Sequence, residues 1–99
     1  MRVHWTSEAK AQLKGIEAYI AQDSPAAARK VVSRIAARCR QIAELPQSGR
    51  KVPEFERADL REALLRPYRI VYRILDGQVD IVTIWHYRRL LPKGVGGKG

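Results

Sequence analysis

Apolar residues at Ala9, Leu13, Ile16 and Ile20 recur in steps of four, three and four, the spacing of one helix face. Thr6 or Ser7 precedes them as an N-cap, a position where a hydroxyl takes up one of the first free backbone N–H groups. Gly15 in the middle weakens this helix modestly. The period breaks at Gln22-Asp23-Ser24-Pro25 and resumes through Ala28, Val31 or Val32, Ile35, Cys39 and Ile42. Ser24 reads as the second N-cap and Pro25 as the first helical residue, where a missing N–H costs nothing. The second helix ends before Pro46, and its other face carries Arg29, Lys30, Arg34, Arg38 and Arg40. Two amphipathic helices on so short a link predict an antiparallel helical hairpin packed on a sheet.

The remaining pattern is that of strands. Met1 to Trp5 predicts a short first strand, and Leu60 to Leu65 another, ended by Pro67. Pro46 to Asp59 lacks periodicity and predicts a surface loop. Tyr68 to Ile74 and Val79 to Arg89 flank Asp76-Gly77, the strongest short-range hairpin signal. A two-residue turn there pairs Leu75 with Gln78, Ile74 with Val79, Arg73 with Asp80, Tyr72 with Ile81 and Arg69 with Ile84. Alternation puts Tyr68, Ile70, Tyr72, Ile74, Val79, Ile81 and Trp85 toward the helices. It puts Arg69, Arg73, Asp80, Val82, Ile84 and His86 on an open, charged face. Arg73 opposite Asp80 predicts a cross-strand ion pair of about 0.2–1 kcal/mol. Arg69 has no such partner, and its diagonal neighbour is His86. A one-residue slip would turn His86 to the core face.

The order of elements, β-α-α-β-β-β, predicts an α+β fold. Ninety-nine residues suffice for one core, here a single domain over 1–92 with a flexible Gly/Lys tail over 93–99. The charge changes the picture further. It is +9, and 13 of the 19 basic residues are arginine, whose fork suits phosphate oxygens. Such an imbalance points to a polyanionic partner; the plain alternative is a solvated basic surface. The single Cys39 excludes an internal disulfide and a cysteine-built zinc site, and reads as core filler. No apolar run approaches 18 residues and no leader pattern is present, so the expected protein is soluble and cytoplasmic, with no membrane partner.

Arg69, His86 and Tyr87 are the candidate catalytic set for a phosphodiester substrate. A histidine can exchange a proton near neutral pH, an arginine can stabilise charge on a phosphorus transition state, and a phenol can stack on a base or relay a proton. Arg50, Lys51, Arg61, Arg88 and Arg89 are candidate nucleic-acid contacts. Glu54 is a possible general base, as is Glu62, which could equally pair with a neighbouring arginine. His4 reads as incidental. No Gly-rich phosphate loop or metal-ligand cluster is present, so no cofactor and no metal are expected.

The helix Ala9-x-x-x-Leu13-x-x-Ile16-x-x-Tyr19-Ile20, the loop Leu45-Pro46-x-x-Gly49-Arg50-x-Val52-Pro53-Glu54, Leu60-Arg61-Glu62, the strand Tyr68 to Arg73 and the closing His86-Tyr87-Arg88-Arg89 come in a distinctive order. Over nearly its whole length the chain resembles the RelE/ParE superfamily of bacterial type II toxins. The resemblance implies the same β-α-α-β-β-β fold and a cognate antitoxin that wraps the toxin. RelE-like members enter the ribosomal A site and cut mRNA; ParE-like members inhibit DNA gyrase without being nucleases. In the RNases an arginine of the strand resembling Tyr68 to Arg73 belongs to the active site, which maps onto Arg69. Some end in a cleaving His-Tyr pair, which maps onto His86 and Tyr87. Many gyrase poisons carry Trp-Gly between the helices, where this chain has Asp23-Ser24-Pro25. The lysine-rich strand of some RNases appears here only as Arg61 beside Glu62, and a final His-x-Arg-Arg also occurs on the ParE side. The expected activity is a metal-independent, ribosome-dependent mRNA endoribonuclease that arrests translation. The alternatives are a DNA gyrase inhibitor and a member that only binds its antitoxin or nucleic acid.

Overall fold

In the computed structural model, which describes residues 1–97, both helices begin where their caps predict. Thr6 Oγ1 accepts from Ala9 N (3.2 Å) at the start of α1 (Ser7–Ala21), and Ser24 Oγ accepts from Ala27 N (3.1 Å) at the start of α2 (Pro25–Glu44). Five strands accompany them: β1 (Arg2–Trp5), β2 (Arg50–Lys51), β3 (Leu60–Leu65), β4 (Tyr68–Leu75) and β5 (Gln78–His86). Their order across the sheet is β1-β5-β4-β3-β2; β1 runs parallel to β5 and every other neighbour is antiparallel. The fold is the expected α+β arrangement, two helices on a mostly antiparallel sheet. The expected loop over Pro46 to Asp59 is partly ordered, holding a 3₁₀ turn (Pro46–Ser48) and β2 at the sheet edge. Two residues are too few for alternation to announce a strand.

One face of the sheet meets the helices. Ile35, Cys39 and Ile42 of α2 and Ala9 of α1 pack on Ala63, Ile70, Tyr72, Val79, Ile81 and Ile84. Complete burial of each such isoleucine is worth roughly 1.5–3 kcal/mol. Burial pushes the Cys39 thiol up to about 12, which suits a filler of this core rather than a reactive group.

The opposite face is not open, contrary to expectation. Val52, Leu60, Val71 and Leu91 form a second buried cluster, with Phe55, Val82, Trp85 and Val95 packed against it. Its cover comes from the loop after β2 and from the segment after β5. The tail folds onto this layer as far as it is described: Val95 joins the cluster and Arg57 Nη1 donates to Gly97 O (2.7 Å). The last two positions of the expected flexible tail lie outside the described residues.

The β4–β5 register follows the prediction only halfway. Asp76-Gly77 makes the turn, with Gly77 at φ +72°, and pairing runs as expected from Leu75–Gln78 to Tyr72–Ile81. A β-bulge then places Val82 as an extra residue. Beyond it Val71 pairs with Thr83, Ile70 with Ile84, Arg69 with Trp85 and Tyr68 with His86. The bulge is held from the helical layer. Thr6 Oγ1 lies 2.8 Å from Ile81 O and 3.0 Å from Val82 O, while Gln12 Oε1 accepts from Ile84 N (2.7 Å) and from the Thr83 hydroxyl.

Tyr72 ties the sheet to the turn before β2. Fully buried, it donates to Pro46 O (2.6 Å) and accepts from Gly49 N (3.0 Å). Tyr72→Phe strands the buried Gly49 N–H and is expected to cost about 1–3 kcal/mol in urea unfolding. An unchanged unfolding midpoint would contradict this role.

Candidate functional site

The bulge decides the geometry of the candidate catalytic set. One residue gained on β5 reverses the face of every later position on that strand, so Trp85 lies across from Arg69 and His86 lies across from Tyr68. The expected Arg69–His86 diagonal therefore does not form. The two side chains belong to opposite faces of the sheet.

Arg69 is not unpartnered either. Only 4% of its side chain is exposed, and it is clasped by two carboxylates. Nη1 and Nη2 donate to the two oxygens of Glu54 (both 2.7 Å), Nε donates to Glu62 Oε1 (2.6 Å), and Nη1 also donates to Arg89 O (3.0 Å). Nη2 is also 2.6 Å from Glu62 Oε1, so each of the three guanidinium nitrogens lies against a carboxylate. Glu62 is completely buried and takes a second arginine, Arg50 Nε, on its other oxygen. Two positive and two negative charges thus cancel locally.

Glu54 is corrected from general base to counter-ion. The Arg69 guanidinium, helped by the Leu91 N–H (2.9 Å), lowers its carboxyl from 4.5 to about 2 despite partial burial. A base that weak has little affinity for a proton at neutral pH. Arg73 also differs from expectation. It pairs with Asp59 (3.2 Å) rather than with Asp80, which instead meets His4 Nδ1 (3.1 Å) and Gln78 Nε2 (2.7 Å).

His86 and Tyr87 sit at the open end of the hairpin, their rings stacked with centroids 5.5 Å apart. His86 Nδ1 accepts from Arg88 N (3.2 Å), a bond that requires this nitrogen to be unprotonated. Guanidiniums of Arg66 and Arg88 each lie 5.3 Å from the centre of the Tyr87 ring, and Arg88 Nε donates to the phenol oxygen (2.8 Å). Arg66 is a member of this cluster that the sequence pattern does not single out. The β3–β4 turn puts it there, because Leu65 pairs with Tyr68 and Tyr68 with His86. A cleft of about 440 Å³ opens beside His86, between the α1 residues Gln12, Ile16 and Tyr19 and the sheet residues Tyr68 and Ile84.

The expected nucleic-acid contacts divide. Lys51, Arg88 and Arg89 are exposed, and Arg50 is exposed apart from its bond to Glu62. Arg61 is occupied in structure, donating to Gly49 O (3.0 Å), Gln47 Oε1 (3.1 Å) and Ala58 O (3.3 Å).

The sequence over residues 3–91 matches the family described as ParE toxin of type II toxin–antitoxin system, parDE. The toxin RelE2 of Caulobacter vibrioides is 41% identical over 90 residues, covering 90% of this chain and 98% of that protein. The Sinorhizobium fredii protein Y4kP, a putative toxin by its own name, is 38% identical over 97 residues, covering 93% and 94%. Among solved structures, the chromosomal ParDE toxin–antitoxin system from P. aeruginosa superimposes with a TM-score of 0.72 at 25% identity, covering 87% of this chain and 95% of that one.

The ion cluster makes two predictions. Arg69→Ala leaves Glu54 without a counter-charge and the buried Glu62 with Arg50 alone, and is expected to cost about 3–5 kcal/mol, read by chemical denaturation. Because the folded state lowers the carboxyl of Glu54, its stabilisation is complete above the ordinary value of 4.5 and is lost as pH falls toward about 2. Glu54→Gln is therefore expected to be less stable than the parent at neutral pH, with the difference shrinking across that window. Parallel pH–stability curves for the two proteins would refute the assignment.

Proposed function

Since the chain belongs to the ParE toxin family of type II toxin–antitoxin systems, with an antitoxin as its partner, we propose that it arrests growth by binding DNA gyrase rather than by cutting mRNA. The observation that carries this reading is the separation of Arg69 from His86. Metal-independent cleavage needs a charge stabiliser and a proton donor converging on one phosphate. Here the arginine is buried, held by two carboxylates, and faces the other way from the histidine. A toxin that acts by occupying its target needs no such convergence. It needs an exposed surface, and the hairpin end supplies Arg88, Arg89 and Leu90, the last 81% exposed.

The expected endoribonuclease activity stands as the second reading, on one observation. His86 and Tyr87 are stacked together with Arg66 and Arg88 beside them, so a cation other than Arg69 accompanies the His-Tyr pair.

Two assays on the purified chain separate the readings: supercoiling by gyrase, and primer extension on mRNA in translating ribosomes. The expected result is inhibited supercoiling with intact mRNA, and inhibition that survives in His86→Ala. Cut mRNA with normal supercoiling, abolished in His86→Ala, would replace the first reading with the second. Arg69→Ala is unsuited to the comparison, since its loss of activity would report loss of folding.

A further inference from the structure

Helix α2 carries five basic residues and a single acidic one, Glu44 at its last position. At 100° per residue, Arg29, Lys30, Arg34 and Arg40 fall on the side away from the buried Ala28, Ile35, Cys39 and Ile42, and Arg38 lies at the edge between the two sides. Four of them are exposed and Arg38 is half-buried. None pairs with a carboxylate among the described residues; the ion pairs of arginine lie on the sheet and its loops. Arg38 meets only the neutral Gln41 (3.2 Å).

This arrangement opposes the helix that bears it. Lys30, Arg34 and Arg38 are spaced i, i+4, i+8, so each repels the next. No acidic residue occupies the first turn of α2 to offset these charges. A face that costs helix stability and, among the described residues, meets no carboxylate is understandable if a polyanion covers it.

We propose that the outward face of α2 is a docking surface for the phosphate backbone of duplex DNA, independent of base sequence. Charge and side-chain type select this occupant. Between the cations the face presents Ala26, Ser33 and Ala37, with no large apolar group to anchor a protein partner in the way that interface hot spots require. No aromatic side chain lies on it, so single-stranded nucleic acid finds no stacking platform. A membrane surface would need an apolar stripe to insert, and that stripe of α2 is already buried on the sheet. A straight array of arginine forks meets the needs of a regular duplex backbone. The surface also extends beyond the helix. Arg34 and Arg66 line one cleft of about 270 Å³, and Arg66 leads on to Tyr87 and Arg88.

Fluorescence anisotropy with a labelled mixed-sequence duplex tests the proposal on the full chain, across a salt series. The variant combines Lys30→Ala, Arg34→Ala and Arg38→Ala; the control combines Lys10→Ala and Lys14→Ala on α1. The expected loss for the α2 variant is about 10–100-fold in affinity, with the log–log salt slope shallower by ~2.7, or 0.9 for each phosphate contact removed. Its melting temperature should hold or rise, because alanine favours the helix and the repulsion is gone. The control should bind as the parent does. No duplex binding by the parent, equal losses in variant and control, or stronger binding to single-stranded RNA or to an acidic peptide would each overturn the proposal.

Discussion

The buried guanidinium of Arg69 is the constraint around which the second half of the chain is arranged. A charge with only 4% of its side chain exposed cannot stand alone, because an uncompensated ion in a protein interior costs several kcal/mol. Its partners come from separate places: Glu62 from β3, Glu54 from the loop after β2, and the Arg89 carbonyl from beyond β5. Glu54 in turn accepts from Leu91 N, and Glu62 holds Arg50 of β2. One arginine thereby gathers the edge strand, the irregular loop and the segment after the hairpin over the face that the helices leave bare. The apolar cluster of Val52, Leu60, Val71 and Leu91 closes in the same layer. Such an ion cluster ties the loop and the last turn to one another through directional bonds, whatever its net contribution to stability.

Much of this architecture is legible in the chain. Caps at Thr6 and Ser24, the proline at the first position of α2 and the Asp76-Gly77 turn each act through their own backbone, so their outcome is local. The face of Arg69 is legible for the same reason, since β4 alternates without interruption. The part beyond the bulge is not. Val82-Thr83-Ile84-Trp85 is uniformly strand-forming, and nothing in that run marks which residue is the extra one. The groups that hold the bulge, Thr6 and Gln12, lie more than seventy residues upstream. The partners of Arg69 are hidden differently. Glu54 sits in a stretch without periodicity, and a carboxylate in such a stretch shows neither its direction nor its neighbour.

The two kinds of basic residue in this chain have opposite relations to the fold. On the sheet and its loops, Arg50, Arg57, Arg69 and Arg73 are each matched to a carboxylate, and the most buried of these pairs, those of Arg69, lose most when the arginine is removed. On α2 and at the hairpin end, the arginines are matched to nothing acidic among the described residues, so much of the net charge of +9 is gathered there. The cost of self-repulsion falls on these same places. Mutating arginines therefore does not have one meaning across this protein. In the first group the effect passes through stability. In the second no paired carboxylate is left behind, so a loss of activity there is not explained by loss of an ion pair within the fold.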